Sequence, residues 1–174
     1  MLARLPHINQ VARPLMTERQ TAVLAGLETY FYQSNEILRW RGYRSLLDGA
    51  AGIGLCPSGM LQARPDKVNY LRGLNGEFRG LAPVITADPP GQKLAVSSPL
   101  IDTMERMDGR ARYVFAVRNW DSAGSLTVKF QFPGRATYST IKVWFEGRLI
   151  RPTLSGFEDQ FRQPQEVHVY ELQP

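Results

Sequence analysis

The side chains able to do chemistry are few and scattered along the chain. There is one cysteine, Cys56, and there are two histidines, so no internal disulfide can form and no Cys/His group stands at metal-ligand spacing. No metal or other cofactor is expected. Cys56 has no histidine near it in sequence to take its proton, so the thiol reads as a small buried hydrophobe. Two carboxylates stand in apolar surroundings: Glu18, in Arg13-Pro-Leu-Met-Thr-Glu18, and Glu28, in Leu27-Glu-Thr-Tyr-Phe-Tyr32. Thr17-Glu18 also has the form of a helix start, where the positive end of the helix dipole favours a carboxylate. Flat aromatic surfaces come from Tyr30, Tyr32, Trp40, Trp120 and Trp144. Tyr30, Tyr32 and Trp40 recur at helical spacing, which suits a core face. Trp144 lies within a strand pattern, whereas Trp120 opens the turn Trp120-Asp-Ser-Ala-Gly124 and is the better binding candidate. His168 alternates with Val167 and Val169 and is expected to be a satisfied structural histidine at the domain seam. Arg148 and Asp159 are expected to form a buried pair.

The elements that must carry these groups change character partway along. In the first half, Ile37, Leu38, Trp40, Tyr43, Leu46 and Leu47 recur every three or four residues, predicting a helix that Ser34 caps and Gly49 ends. Ala50 to Leu55 is short, small and uniformly apolar, the pattern of a buried parallel strand. A second helix is predicted from Asp66 to about Ala82, with Val68, Leu71, Leu74, Phe78 and Leu81 on one face and Pro83 at its end. Upstream, Val11 to Met16 reads as a short edge strand. Ala22, Val23, Leu24, Leu27, Tyr30 and Phe31 form a helical stripe interrupted by Gly26.

After the linker Ala87-Asp-Pro-Pro-Gly-Gln92 the helical period gives way to alternation. Short strands are predicted at Leu94 to Ser97, Ile101 to Arg106, Ala111 to Arg118, Leu126 to Phe132, Thr140 to Phe145, Leu149 to Arg151 and Val167 to Leu172. Turn chemistry at Asp108-Gly109, Asp121 to Gly124, Pro133-Gly134 and Glu146-Gly147 separates them. Such punctuation predicts an antiparallel sandwich. The fold class is therefore α+β: a partial α/β segment over residues 1–86, then a β-sandwich over 87–174.

Composition excludes several functions. Hydrophobic residues make up 43% of the 174 and charged residues 21%, ordinary globular material. No apolar run is long enough to span a membrane, and the N-terminus lacks the hydrophobic core of a signal peptide, so a soluble chain is expected and its compartment is left unassigned. The net charge of +5 comes mainly from arginine scattered along the sequence. Nucleic-acid binding would gather those charges into a patch with interleaved aromatics, and none is present.

Four stretches carry a family resemblance in their order as well as their wording. Tyr43-Arg-Ser-Leu-Leu-Asp-Gly-Ala-Ala-Gly-Ile-Gly, Leu71-Arg-Gly-Leu-Asn-Gly-Glu-Phe-Arg-Gly-Leu-Ala-Pro-Val84, Arg112-Tyr-Val-Phe-Ala-Val117, and Gly156-Phe-Glu-Asp-Gln-Phe161 with Val167-His-Val-Tyr170 resemble the C-terminal end of (β/α)8-barrel glycoside hydrolases. The resemblance runs from Ser34 to the end of the chain. It implies the last one or two βα units of a barrel followed by the accessory β-sandwich that buttresses it. Barrel active sites draw on loops after several strands, so the chain alone is expected not to turn over substrate.

Retaining glycoside hydrolysis needs two carboxyl groups about 5–5.5 Å apart. In the related barrels the acid/base follows strand four and the nucleophile strand seven. The resemblance therefore implies Glu18 as nucleophile with Glu28 as fallback, and offers no residue for the acid/base. It also implies that Tyr30, Tyr32, Trp40 and Trp120 stack on sugar rings. The partners implied are a carbohydrate and the remainder of the barrel or a partner chain. Self-association is a further expectation, because the Ala50–Leu55 strand lacks neighbours. The alternative is a non-catalytic carbohydrate-binding or assembly subunit that docks on a partner chain.

Overall fold

A computed structural model describes residues 24–29, 34–50, 52–57, 64–119, 124–134 and 138–174, with the backbone alone described at 24–29 and 55–57. The chain divides into two compact units, Met1–Arg72 and Gly73–Pro174.

In the first unit, β1 (Leu24–Thr29) and β2 (Gly52–Pro57) form a parallel pair, with α1 (Asn35–Leu47) between them in sequence. A parallel connection needs a crossover, and α1 supplies it. Its start follows from Ser34, whose extended backbone lets Oγ accept from the Ile37 amide at 3.2 Å. Its end follows from Gly49, which takes the left-handed conformation at φ 96° while the Gly49 and Ala50 amides return to the Leu46 and Ser45 carbonyls. Leu38, Tyr43 and Leu46 are the buried stripe, and the expected helix is present with the expected cap.

The segment read as a helical stripe over Ala22 to Tyr32 is corrected by β1. Leu24-Ala-Gly-Leu-Glu-Thr29 pairs residue for residue with Gly52-Ile-Gly-Leu-Cys-Pro57, so both strands have the same small, apolar, glycine-interrupted composition. A short run with almost no polar residue carries no period-two signal, which is why Leu24 and Leu27 imitate a helix. The expected burial of β2 is corrected too, since Gly52 and Ile53 are half-buried and Gly54 is exposed. The neighbour of β2 is thus β1. The expected edge strand Val11–Met16 lies outside the described residues.

The second helix, α2 (Pro65–Ile85), buries Leu71, Leu74, Leu81 and Val84 along the expected stripe. Pro83 does not end it but lies within its last turn. Proline removes one N–H from the helix ladder, and its site here is exposed, so the freed carbonyl can turn to water. Thr86 then closes the turn, its amide and hydroxyl both returning to the Ala82 carbonyl.

Among its described residues the second unit holds two antiparallel sheets built from eight strands: β3 (Ala95–Val96), β4 (Ile101–Asp108), β5 (Ala111–Arg118), β6 (Leu126–Gln131), β7 (Thr140–Val143), β8 (Arg148–Ile150), β9 (Gly156–Phe161) and β10 (Val167–Gln173). One sheet runs β4-β5-β10-β7-β8 and the other β3-β6-β9. Each strand expected after the linker is present, and β9 is added to them. Between the sheets pack Val114, Ala116, Ile141, Val143, Tyr170 and Leu172 from one side and Val128, Phe130, Phe157 and Phe161 from the other. Phe130 stacks on Phe157 at 4.7 Å, with Tyr170 meeting both. Tyr113, Phe115 and Val117 share the opposite face of β5, as their alternation requires, and they too are buried.

Candidate functional site

Parallel strands point the same way, so their carboxyl ends form one rim, and α/β proteins gather functional groups there. The rim of the β1–β2 pair carries Glu28 in register with Cys56, followed by Thr29 in register with Pro57. Of the two candidate carboxylates, Glu28 is the one within the described residues, next to last in its strand. Glu18, Tyr30, Tyr32 and Trp120 lie outside them. Trp40 is half-buried on α1, beside the stripe of Leu38, Tyr43 and Leu46. The register thus brings together Glu28 and Cys56 and no other pair of the sequence candidates.

The sandwich carries a second concentration of polar groups at the neighbouring edges of its two sheets. Arg148 on β8 meets Asp159 on β9 as a two-pronged ion pair, Nη1 to Oδ1 at 2.8 Å and Nη2 to Oδ2 at 2.6 Å. Asp159 Oδ2 also accepts from the Tyr170 hydroxyl at 2.7 Å and lies 2.9 Å from His168 Nδ1. The expected Arg148–Asp159 pair is present but only part-buried, with the Arg148 side chain 35% exposed. His168 has structural partners as expected, though the polar groups around it, Asp159, Tyr170, Glu146 and Glu166, all belong to the sandwich. Its ring stacks on Phe161 at 4.3 Å.

The electrostatics follow from these contacts. Burial alone would raise the Asp159 carboxyl, but hydrogen bonds from His168, Arg148 and Tyr170 outweigh it and hold the group well below the usual carboxylate range. Burial alone would lower His168, yet the Asp159 and Glu166 acceptors leave it raised. Tyr170 is pushed well up by burial and by the adjacent Asp159 charge. All three shifts favour a fixed ionic lattice over a group poised to exchange protons with a substrate.

Glu146 and Glu166, which also face His168, escaped sequence reasoning. The available signal for Glu166 was its place immediately before the β10 alternation, and for Glu146 the turn Glu146-Gly147. Trp144 is half-buried, its Nε1 donating to Glu171 at 2.8 Å with the Lys142 ammonium 4.5 Å from its ring centroid. Tyr113, beside the same Glu171, is pushed up to about 12 by burial and by that carboxylate. Among the described residues no group of three or more His, Cys, Asp or Glu side chains is arranged to hold a metal ion. No helix among them is long and apolar enough to cross a membrane.

No protein-family model matches the chain, and no curated protein matches it by sequence. Solved structures do match its fold. The α-amylase of Geobacillus thermoleovorans complexed with acarbose superimposes with a TM-score of 0.62 at 13% identity, over 95% of this chain and 43% of its own. A GH30 endoxylanase from Clostridium papyrosolvens gives 0.60 at 13% identity, over 95% and 46%. An Anoxybacillus α-amylase gives 0.60 at 14% identity, over 98% and 42%. The chain thus spans less than half the length of the structures it resembles. Its mixed α and β fold with an antiparallel sandwich superimposes on part of each of these structures, as the four sequence stretches lead one to expect.

Proposed function

We propose that the chain is the C-terminal portion of a glycoside-hydrolase-like protein acting on carbohydrate, with residues 1–86 as the closing βα units of a barrel and 87–174 as its accessory sandwich. In this reading the chain alone is not catalytic, because the partner carboxyl group belongs to strands supplied by the remainder of the barrel or by a partner chain. The observation that carries the reading is the position of Glu28. It stands next to last in a parallel strand that is followed by one further helix and strand, which supports reading it as the strand-seven nucleophile that the resemblance implies. Glu28 therefore takes precedence over Glu18. Tyr30 and Tyr32, following Glu28 directly, are the aromatic faces best placed by sequence to meet a sugar, with Trp40 and Trp120 behind them.

Activity measurements test this. The purified chain should release no aglycone from aryl glycosides above a blank. A longer protein that joins it to the strands upstream should do so, and Glu28→Gln should lower its turnover by several orders of magnitude while Glu18→Gln leaves it near normal. The reverse ranking of the two variants would move the nucleophile to Glu18. Turnover by the chain alone would refute the partial-barrel reading. The same reading has the isolated chain self-associating through the β1–β2 segment, an outcome that light scattering over a concentration series reports. A monomer at every concentration would count against it.

A further inference from the structure

Both ring nitrogens of His168 face carboxylate oxygens. Nδ1 lies 2.9 Å from Asp159 Oδ2, while Nε2 lies 3.4 Å from Glu166 Oε1 and 3.7 Å from Glu146 Oε1. A neutral imidazole has one N–H and one lone pair, so either tautomer would point a lone pair at a carboxylate. The imidazolium turns an N–H to both sides, whereas a neutral ring protonated at Nε2 would turn its Nδ1 lone pair toward Asp159 and have the Arg148 Nη2 donor at 3.3 Å in its place. The ring is buried, with 2% of its surface exposed, so water cannot take over a lost contact without displacement of the neighbours.

The two glutamates at Nε2 share a local feature. Phe145 and Gln165 are the non-glycine residues with positive φ among the described residues, at 66° and 67°, and each immediately precedes one of these glutamates. Left-handed backbone at a bulky residue is costly and persists where its surroundings determine it. Glu146 sits in the turn between β7 and β8, and Glu166 closes the loop between β9 and β10. Glu166 Oε2 also accepts the Arg162 and Gln163 amides, which ties that loop to the same carboxylate.

We propose that protonated His168 is a latch holding the left-handed turn at Gln165–Glu166 against the sandwich, and that loss of its proton frees that turn while Glu146 stays paired with Arg148 Nε at 2.6 Å. The groups facing the ring from each neighbouring element set the balance. β9 contributes Asp159 and the stacked Phe161, β8 contributes Arg148 with Nη2 3.3 Å from Nδ1, and β10 contributes Tyr170 with its hydroxyl 2.9 Å away. Ala116 of β5 lies opposite His168, and Arg118, two residues on, donates to the Gly124 and Phe161 carbonyls. With the proton present, Arg148 and His168 face Asp159, Glu146 and Glu166. Without it, Arg148 still faces Asp159 and Glu146, but Glu166 loses the positive charge opposite it. The device does not depend on the carbohydrate reading.

Nitrogen-15 NMR of the full chain tests it directly, with the His168 ring assigned through His168→Gln. Near pH 6 both ring nitrogens should carry protons, and the midpoint should lie above that of a free histidine. Through that midpoint, exchange of the Arg162 and Gln163 amides should accelerate beyond the intrinsic pH effect by roughly tenfold or more, the factor matching loss of one charged hydrogen bond. In Glu166→Gln the midpoint should fall by about one pH unit. A single-N–H tautomer near pH 6, or amides at 162 and 163 whose protection ignores the titration, would overturn the proposal. The unmodified chain decides these points even if a variant fails to fold.

Discussion

The β1–β2 pair and the β5–β10 pair are both central to their units, and they differ in what completes them. β5 and β10 are antiparallel, lie side by side in a five-stranded sheet and are buried on both faces, with Val114, Ala116, Tyr170 and Leu172 in the inter-sheet core. β1 and β2 are parallel, and among the described residues each pairs only with the other. Parallel sheets are stable when covered on both faces and extended on both sides, and two strands alone are marginal in water. The sandwich thus carries its own reason to fold, whereas the described part of the α/β segment is a two-stranded pair that is marginal by itself.

Substitutions sharpen this contrast, and the largest effect belongs to the sandwich core. Phe130→Ala removes a ring packed against Phe157 and Tyr170 and should cost about 3–5 kcal/mol in urea unfolding. Sandwich and α/β signals that fell together by this amount would show that the two regions unfold as one. Asp159→Asn breaks the ion pair at the edge of the sheets. Its cost should be about 2–3 kcal/mol, below the ~3–5 of a fully buried pair, because the Arg148 side chain is 35% exposed.

The pH profile of sandwich stability should have two limbs. His168 is raised above its unfolded value of 6.5, so its contribution is complete below that value and lost as pH rises through the folded one. Asp159 is depressed below its unfolded 3.8, so its contribution is complete above that value and lost as pH falls through the folded one. Urea midpoints should therefore be highest between 3.8 and 6.5. Asp159→Asn should flatten both limbs, and a profile unchanged by that variant would remove the network from the account. The smallest effect lies in the first unit. Ser34→Ala deletes the α1 cap and should cost about 1 kcal/mol, read as lost protection of the Ile37 amide with sandwich amides unaffected.

Much of the sandwich was legible because half-buried strands announce themselves. In β6, Val128 and Phe130 point inward while Thr127, Lys129 and Gln131 are exposed, a clean period of two. β9 was not read as a strand because Glu158, Asp159 and Gln160 look like a polar loop. Asp159 is turned inward by Arg148, a pairing that local periodicity does not contain. β1 was misread for the opposite reason, since Leu24-Ala-Gly-Leu27 has too little polarity to mark either period, and its likeness to Gly52-Ile-Gly-Leu55 was the usable signal. Glu28 was a fallback as a helical residue. Strand register sets it beside Cys56, a neighbour that a helical reading of this stretch does not contain.

Hydrogen exchange by mass spectrometry on the full-length chain tests the central contrast most directly. Amides of β5 and β10 should exchange only through global unfolding of the sandwich, and those of β1 and β2 orders of magnitude faster through local opening. Equal, global-rate protection of both pairs would contradict the account: the α/β segment would then be a closed structure in its own right, with no need of the strands that the proposed function supplies.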